Sequence, residues 1–183
     1  YGYWIQTMGD RASLADNSTT NDHIIKNIAK MLISSPDDAW NMLQEMQADY
    51  VVVFVAGQRI DGNWDGNSLY VLNGGGDESK KPWFMRIAEV DLSKYLESNG
   101  STGTSFFWNE TLLGQMIPYN IVIYYNEATQ QSSEIFQNGF TPISTLEINY
   151  HDEGNYPLKL VYTSPSFTNK NIDRFSAVLV YEV

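Results

Sequence analysis

The chain has 183 residues, 43% hydrophobic and 14% aromatic, a composition that can build a core and is not that of a disordered chain. Its net charge of −11 argues against a nucleic-acid backbone as partner, which needs clustered Lys and Arg, and would repel an anionic membrane surface. Cysteine is absent, which excludes disulfides, zinc–thiolate sites and thiol nucleophiles.

In chain order, Asn21 or Asp22 caps a predicted helix running to about Ile33, with Ile24, Ile28, Met31 and Leu32 as its apolar stripe. A second helix starts at Ser35, with Pro36 in its first turn and Asp37 and Asp38 facing its positive end. Ala39, Trp40, Leu43 and Met46 form its buried side. The run Tyr50 to Ala56 is β-branched and bounded by Gly57, so it reads as a buried strand, and it is too short to span a bilayer. Residues 57–77 read as loop or hairpin ending in Gly74, Gly75 and Gly76. Pro82 permits a helix from about Lys81 towards Val90, and Asp91 caps a short one to about Glu97. Residues 98–105 read as a flexible connection, followed by a helix from about Asn109 to Ile117. From Asn120 the pattern turns to strands at 120–127, 144–151, 157–163 and 176–183.

The expected class is α+β in a single domain, 1–183. Residues 1–118 form a helical N-terminal half with a central hydrophobic strand, and 119–183 an antiparallel β-rich part sharing its core.

Few residues have the spacing of a chemical site. His23 and His151 are far apart and no Gly-x-Ser-x-Gly elbow occurs, so a hydrolytic triad is unsupported. His23 reads as a surface residue and His151 as part of a solvated acidic turn. Asp61, Asn63 and Asp65, followed by Gly66, copy the first half of a calcium loop. The twelfth position is Leu72 rather than a bidentate Glu, so a hairpin turn rich in Asp, Asn and Gly is the better reading. In "GDESKKPWFMRI", Asp77, Lys80 and Phe84 fall on one helical face; by spacing alone this is a helix start. Asn17, Asn99 and Asn109 each begin an Asn-x-Ser/Thr pattern, which arises readily by chance in an Asn-rich chain.

"YGYWI", followed by "DRASLADNSTTNDHI", resembles the continuation of the Trp-Trp-Asp-Tyr-Gly motif of oligosaccharyltransferase catalytic subunits. The two-helix segment and the strand "DYVVVFVAG" follow in the family's order, and "DESKKPWFMRI" stands where its Asp-x-x-Lys signature is found. The strand-rich end is similar to that of archaeal members. The resemblance implies a membrane enzyme that moves an oligosaccharide from a lipid-linked donor onto Asn of Asn-x-Ser/Thr in an acceptor polypeptide. It implies that a membrane part, absent from this chain, holds the donor and a Mn2+ or Mg2+ ion. A soluble domain on the extracellular face then binds the Ser/Thr two residues after the acceptor Asn.

Carried over by position, Tyr1 and Gly2 match the end of the first motif, whose two Trp and Asp would precede them. Asp77 and Lys80 match the second, and either Phe84 or, with a shift of one, Met85 takes the packing role. Asn17, Asn99 and Asn109 become plausible glycan acceptors, Asn99 foremost because its stretch is the most loop-like. The isolated domain is expected to be monomeric and inactive. The competing reading is a non-catalytic extracellular binding or surface-layer module.

Overall fold

A computed structural model of the protein describes residues 2–15, 21–72, 74–150, 158–168 and 173–183. Tyr1, Asn17 and His151 lie outside the described residues. The elements in order are α1 (Gly2–Gly9), α2 (Asp22–Ile33), α3 (Pro36–Glu45), β1 (Tyr50–Trp64) and β2 (Asn67–Leu72). A 3-10 turn (Asp77–Lys80) leads into α4 (Lys81–Ala88), and a second (Leu92–Lys94) precedes α5 (Ser105–Glu110) and α6 (Leu112–Met116). Then come β3 (Tyr119–Asn126), β4 (Gln131–Ser133), β5 (Thr141–Leu146), β6 (Lys159–Thr163), α7 (Pro165–Thr168) and β7 (Arg174–Glu182).

The seven strands form one sheet, ordered β4-β3-β5-β2-β1-β7-β6, with every neighbouring pair antiparallel. The class is α+β, as expected. The two strands from the first half occupy the middle of the sheet, between β5 and β7 of the second.

The helix starts follow the capping residues. Asn21 Oδ1 accepts the Ile24 N–H at 3.2 Å, and Ser35 Oγ accepts the Asp38 N–H at 3.2 Å. Ala39 and Leu43 are buried in α3, whereas Trp40 and Met46, expected on the same face, are only half-buried. No helix among the described residues is long and apolar enough to cross a membrane.

The core is set by alternation. Val51, Val53 and Val55 of β1 are buried, and their register partners on β7, Tyr181, Leu179 and Ala177, are buried on the same face. Ala29, Leu43, Met85, Phe107, Leu112 and Met116 from the helices pack in the same cluster.

Several expectations are corrected. The first strand does not stop at Gly57 but runs on to Trp64. A Cβ at Gly57 would stand 2.9 Å from the Phe175 ring and 3.0 Å from the Tyr119 hydroxyl. That glycine therefore marks a close approach rather than a strand end. The segment 98–105, expected to be flexible, is hydrogen-bonded: Leu96 bridges Gly103, and the Glu97 N–H donates to Thr102 O at 2.8 Å. The same bridge limits the helix after Asp91 to a 3-10 turn.

The helix expected at 109–117 is two, broken at Thr111, whose extended backbone (φ −107°, ψ 149°) ends α5 and caps α6. The expected strand 144–151 begins earlier and ends at Leu146. α1, β4 and α7 were not anticipated.

Candidate functional site

The Asp77–Lys80 turn is positioned by the edge of β1. The register of β1 with β2 reaches Gly57 opposite Leu72, where β2 ends. Beyond that point the β1 edge needs other partners. Asp77 Oδ2 accepts the Phe54 N–H at 2.7 Å, and the Tyr119 hydroxyl donates to Ala56 O at 2.6 Å. Gly76 makes the approach possible, since a Cβ there would stand 3.0 Å from Phe54 O and 3.1 Å from Ala56 N. The last of the three glycines is thus explained by contact with the strand backbone.

Asp77 Oδ1 takes the second bond, from Lys80 Nζ at 2.8 Å. The Asp77 side chain is 15% exposed and that of Lys80 54%. One carboxylate oxygen is therefore anchored to the sheet and the other meets an ammonium at the surface. Such a pair can offer the remaining lone pairs of a fixed carboxylate to a hydroxyl donor.

A second pair is interleaved with the first and faces inward. Lys81 Nζ donates to Glu78 Oε2 and to Glu78 O, both at 2.8 Å, with the two side chains 4% and 3% exposed. The Lys81 ammonium also lies 5.7 Å from the Phe107 ring centroid and 5.9 Å from that of Trp108. Glu78 Oε1 is buried without a partner among the described residues. Burial first, and then the negative Glu78, pushes the Tyr119 hydroxyl above the usual tyrosine range. Sequence reasoning missed this pair. Its signal was present in the doubled acid and doubled lysine of "DESKK", two overlapping i, i+3 spacings.

α4 carries the remaining candidates. Phe84 is half-buried and packs against the core, while Met85 is wholly buried. Of the two residues left open for the packing role, only Phe84 has surface to offer. Gly2 lies at the start of α1, where a Cβ would run into Ser13 Oγ and Ala15 O. Asp77 and Lys80 are thus brought into direct contact, with Phe84 on the following helix, and Gly2 packs against its own local segment.

The other candidates lie elsewhere. Asp61 and Asn63 sit on β1 and Asp65 in the tight turn to β2, where Asp65 (φ 48°) and Gly66 (φ 80°) are both left-handed. Among the described residues no group of three or more His, Asp or Glu side chains is gathered as a metal ion would need. Asn99 Oδ1 accepts the N–H groups of Ser101 and Thr102 at 3.0 and 2.9 Å, and its Nδ2 donates to Thr102 Oγ1 at 2.9 Å. Asn109 is exposed, but Thr111 in its pattern is wholly buried: its hydroxyl donates to Phe107 O at 2.7 Å and accepts the Gly114 N–H at 3.1 Å.

No family model matches the chain. The dolichyl-diphosphooligosaccharide–protein glycosyltransferase subunit STT3 of Saccharomyces cerevisiae is 25% identical over 162 residues, covering 84% of this chain and 21% of the relative. The subunit stt-3 of Caenorhabditis elegans is 30% identical over 120 residues, 62% of this chain and 14% of the relative. STT3 of Dictyostelium discoideum is 27% identical over 174 residues, 92% of this chain and 22% of the relative. The chain spans about a fifth or less of the length of these relatives. Over most of its own length, it is similar to STT3 subunits of oligosaccharide–protein glycosyltransferases.

Proposed function

We propose that this chain is the acceptor-reading, C-terminal domain of the catalytic subunit of an oligosaccharyltransferase, of archaeal type by its strand-rich end. The intact enzyme transfers oligosaccharide from a lipid-linked donor to Asn of Asn-x-Ser/Thr at a membrane, with this domain on the outer face. The observation that carries the reading is similarity to STT3 subunits over up to 92% of the chain. It is joined by the Asp77–Lys80 pair, 2.8 Å apart, whose spacing resembles the family's Asp-x-x-Lys signature.

In this reading Asp77 accepts the hydroxyl proton of the acceptor's Ser or Thr, and the Phe54 amide and Lys80 hold the carboxylate in place. Phe84 packs the threonine methyl group. The Mn2+ or Mg2+ ion belongs to the membrane part. No step assigned to this chain passes through it.

The test uses the intact enzyme with lipid-linked donor and a sequon peptide. Transfer is expected from the intact enzyme and none from the 183-residue chain alone. Asp77→Asn, which keeps an oxygen for the Phe54 amide, and Lys80→Ala are each expected to lower kcat/KM for the peptide at least about tenfold with the fold intact. Near-normal turnover in both variants would remove the turn from the site. Turnover by the isolated chain would sink the division of labour.

A further inference from the structure

β3 is only partly covered on the side that faces away from β5. β4 pairs with Tyr124, Tyr125 and Asn126 and with no earlier residue of the strand. Among the described residues, the edge of 120–123 is therefore left without a strand. A cleft of about 350 Å3 is lined by the unbroken run 119–124 of this strand, by Trp108 and Asn109 of α5, and by Glu134 just beyond β4. Successive side chains of a strand point to opposite faces, so an unbroken run means that the backbone edge itself forms part of the wall. Its N–H and C=O groups directed away from β5 are donors and acceptors in need of a partner.

Four exposed side chains with planar polar ends share the cleft: Asn109, Asn120, Glu134 and Glu147. Among the described residues, none of the four is engaged in a side-chain hydrogen bond or ion pair. Tyr124 lines the cleft as well, and no Lys, Arg or His is found among its described lining residues. Asp77, Lys80 and Phe84 are not among them either, so the cleft is separate from the candidate turn.

We infer that this cleft binds an uncharged oligosaccharide. Each sugar hydroxyl both donates and accepts. Carboxylates take hydroxyl protons in charge-assisted bonds, carboxamides bond in both directions, and the open strand edge adds amide and carbonyl groups. An anionic ligand would meet two carboxylates without a cation, on a chain of net charge −11. A peptide added as a further strand needs a regular ladder, and the register of β3 shifts between Ile121 and Ile123, inside the open stretch. A saccharide needs no such register.

The cleft lies at the lower end of the range of small-molecule sites, about 300–1,000 Å3, which suits roughly one or two sugar rings with the rest of the chain in solvent. Binding follows from the cleft alone, and the proposed function bears only on where the saccharide comes from. The glycan of a lipid-linked donor and a glycan already joined to a polypeptide share this chemistry.

The experiment titrates the 183-residue chain with maltotriose, cellotriose and triacetylchitotriose, with trigalacturonic acid and a Lys-rich peptide beside them, and follows backbone and side-chain amide shifts by NMR. At least one uncharged sugar is expected to bind with Kd below about 10 mM and to shift the amides of 120–123 and the carboxamide of Asn109. Trigalacturonic acid should bind at least about tenfold more weakly, and the double change Asn120→Ala with Glu134→Ala should weaken the uncharged sugar by at least about tenfold. The inference is overturned if no uncharged sugar binds below about 10 mM, or if the double variant binds as the native chain does. It is also overturned if the Lys-rich peptide shifts the same amides at lower concentration than any sugar, which would assign the cleft to a basic peptide. In the intact enzyme, the double variant should raise KM for the lipid-linked donor if the donor glycan is the source, or weaken binding of glycopeptide alone if the joined glycan is; if neither moves, the inference fails. Loss of sugar binding with sequon transfer intact would sink this inference and leave the broader reading standing, and the reverse result would do the opposite.

Discussion

In the Asp77–Lys81 turn, two acid–base pairs of identical spacing have opposite physical characters. The outer pair is half in water, where ion pairs contribute little to stability, so its value lies in orientation. The inner pair is wholly desolvated, and breaking one partner leaves an unpaired buried charge. Lys81→Met is therefore expected to lower unfolding free energy by about 3–5 kcal/mol, read from urea melts. The double change Glu78→Leu with Lys81→Met should recover most of that loss, because an apolar pair carries no desolvation cost. A single-variant loss below about 1 kcal/mol would show that water reaches the pair. Thr111 is a second residue whose role lies in its hydroxyl, which joins Phe107 O to the Gly114 N–H. Thr111→Val keeps the shape and orphans both groups, with an expected cost of about 2 kcal/mol in the same melts. Its burial also means that an enzyme reading Asn-x-Thr should leave Asn109 unmodified once the chain has folded; a glycopeptide carrying Asn109 from folded protein would refute this.

Among the elements, α2 and α3 were readable in advance from local chemistry, whereas the extent of β1 and the break at Thr111, both set by tertiary contact, were not. α2 and α3 begin at Asn21 and Ser35 because cap, proline and acidic first turn act within a few residues. β1 was misjudged at Gly57 because the partner that requires a glycine there, the Phe175 ring, lies far along the chain. Gly57→Ala is accordingly expected to cost about 1–3 kcal/mol by overpacking against Phe175 and Tyr119. A loss under about 0.5 kcal/mol would mean that the ring moves aside freely. The break at Thr111 has the same origin. Gly114 packs directly on the Phe107–Trp108 backbone, a contact that one continuous helix would not allow.

Across the whole molecule, burial gives stability a pH limit on the alkaline side. Burial pushes the Tyr150 hydroxyl up to about 12, and those of Tyr119 and Tyr181 higher still. Tyrosine is neutral when protonated, so a raised folded pKa means that the unfolded chain releases its proton first. Each contribution is complete below the unfolded value near 10 and is lost as pH rises towards the folded value, at up to about 1.4 kcal/mol per pH unit per tyrosine. Urea midpoints should hold steady to about pH 9 and fall between about pH 10 and 12, with tyrosinate absorbance appearing together with unfolding. An unchanged midpoint at pH 11.5 would contradict it.

The sequence by itself determined the α+β class, the starts of the early helices and the Asp77–Lys80 spacing, because each depends on side chains within one or two turns of one another. Only the tertiary structure decided that the two early strands take the middle of a seven-stranded sheet and that Asp77 is anchored to an edge β2 does not cover. It also decided that Met85 is core, that Glu78 and Lys81 are desolvated and that Trp83 and Arg86 face water. Those outcomes depend on which surfaces meet across long sequence separations, where burial and close approach override local preference.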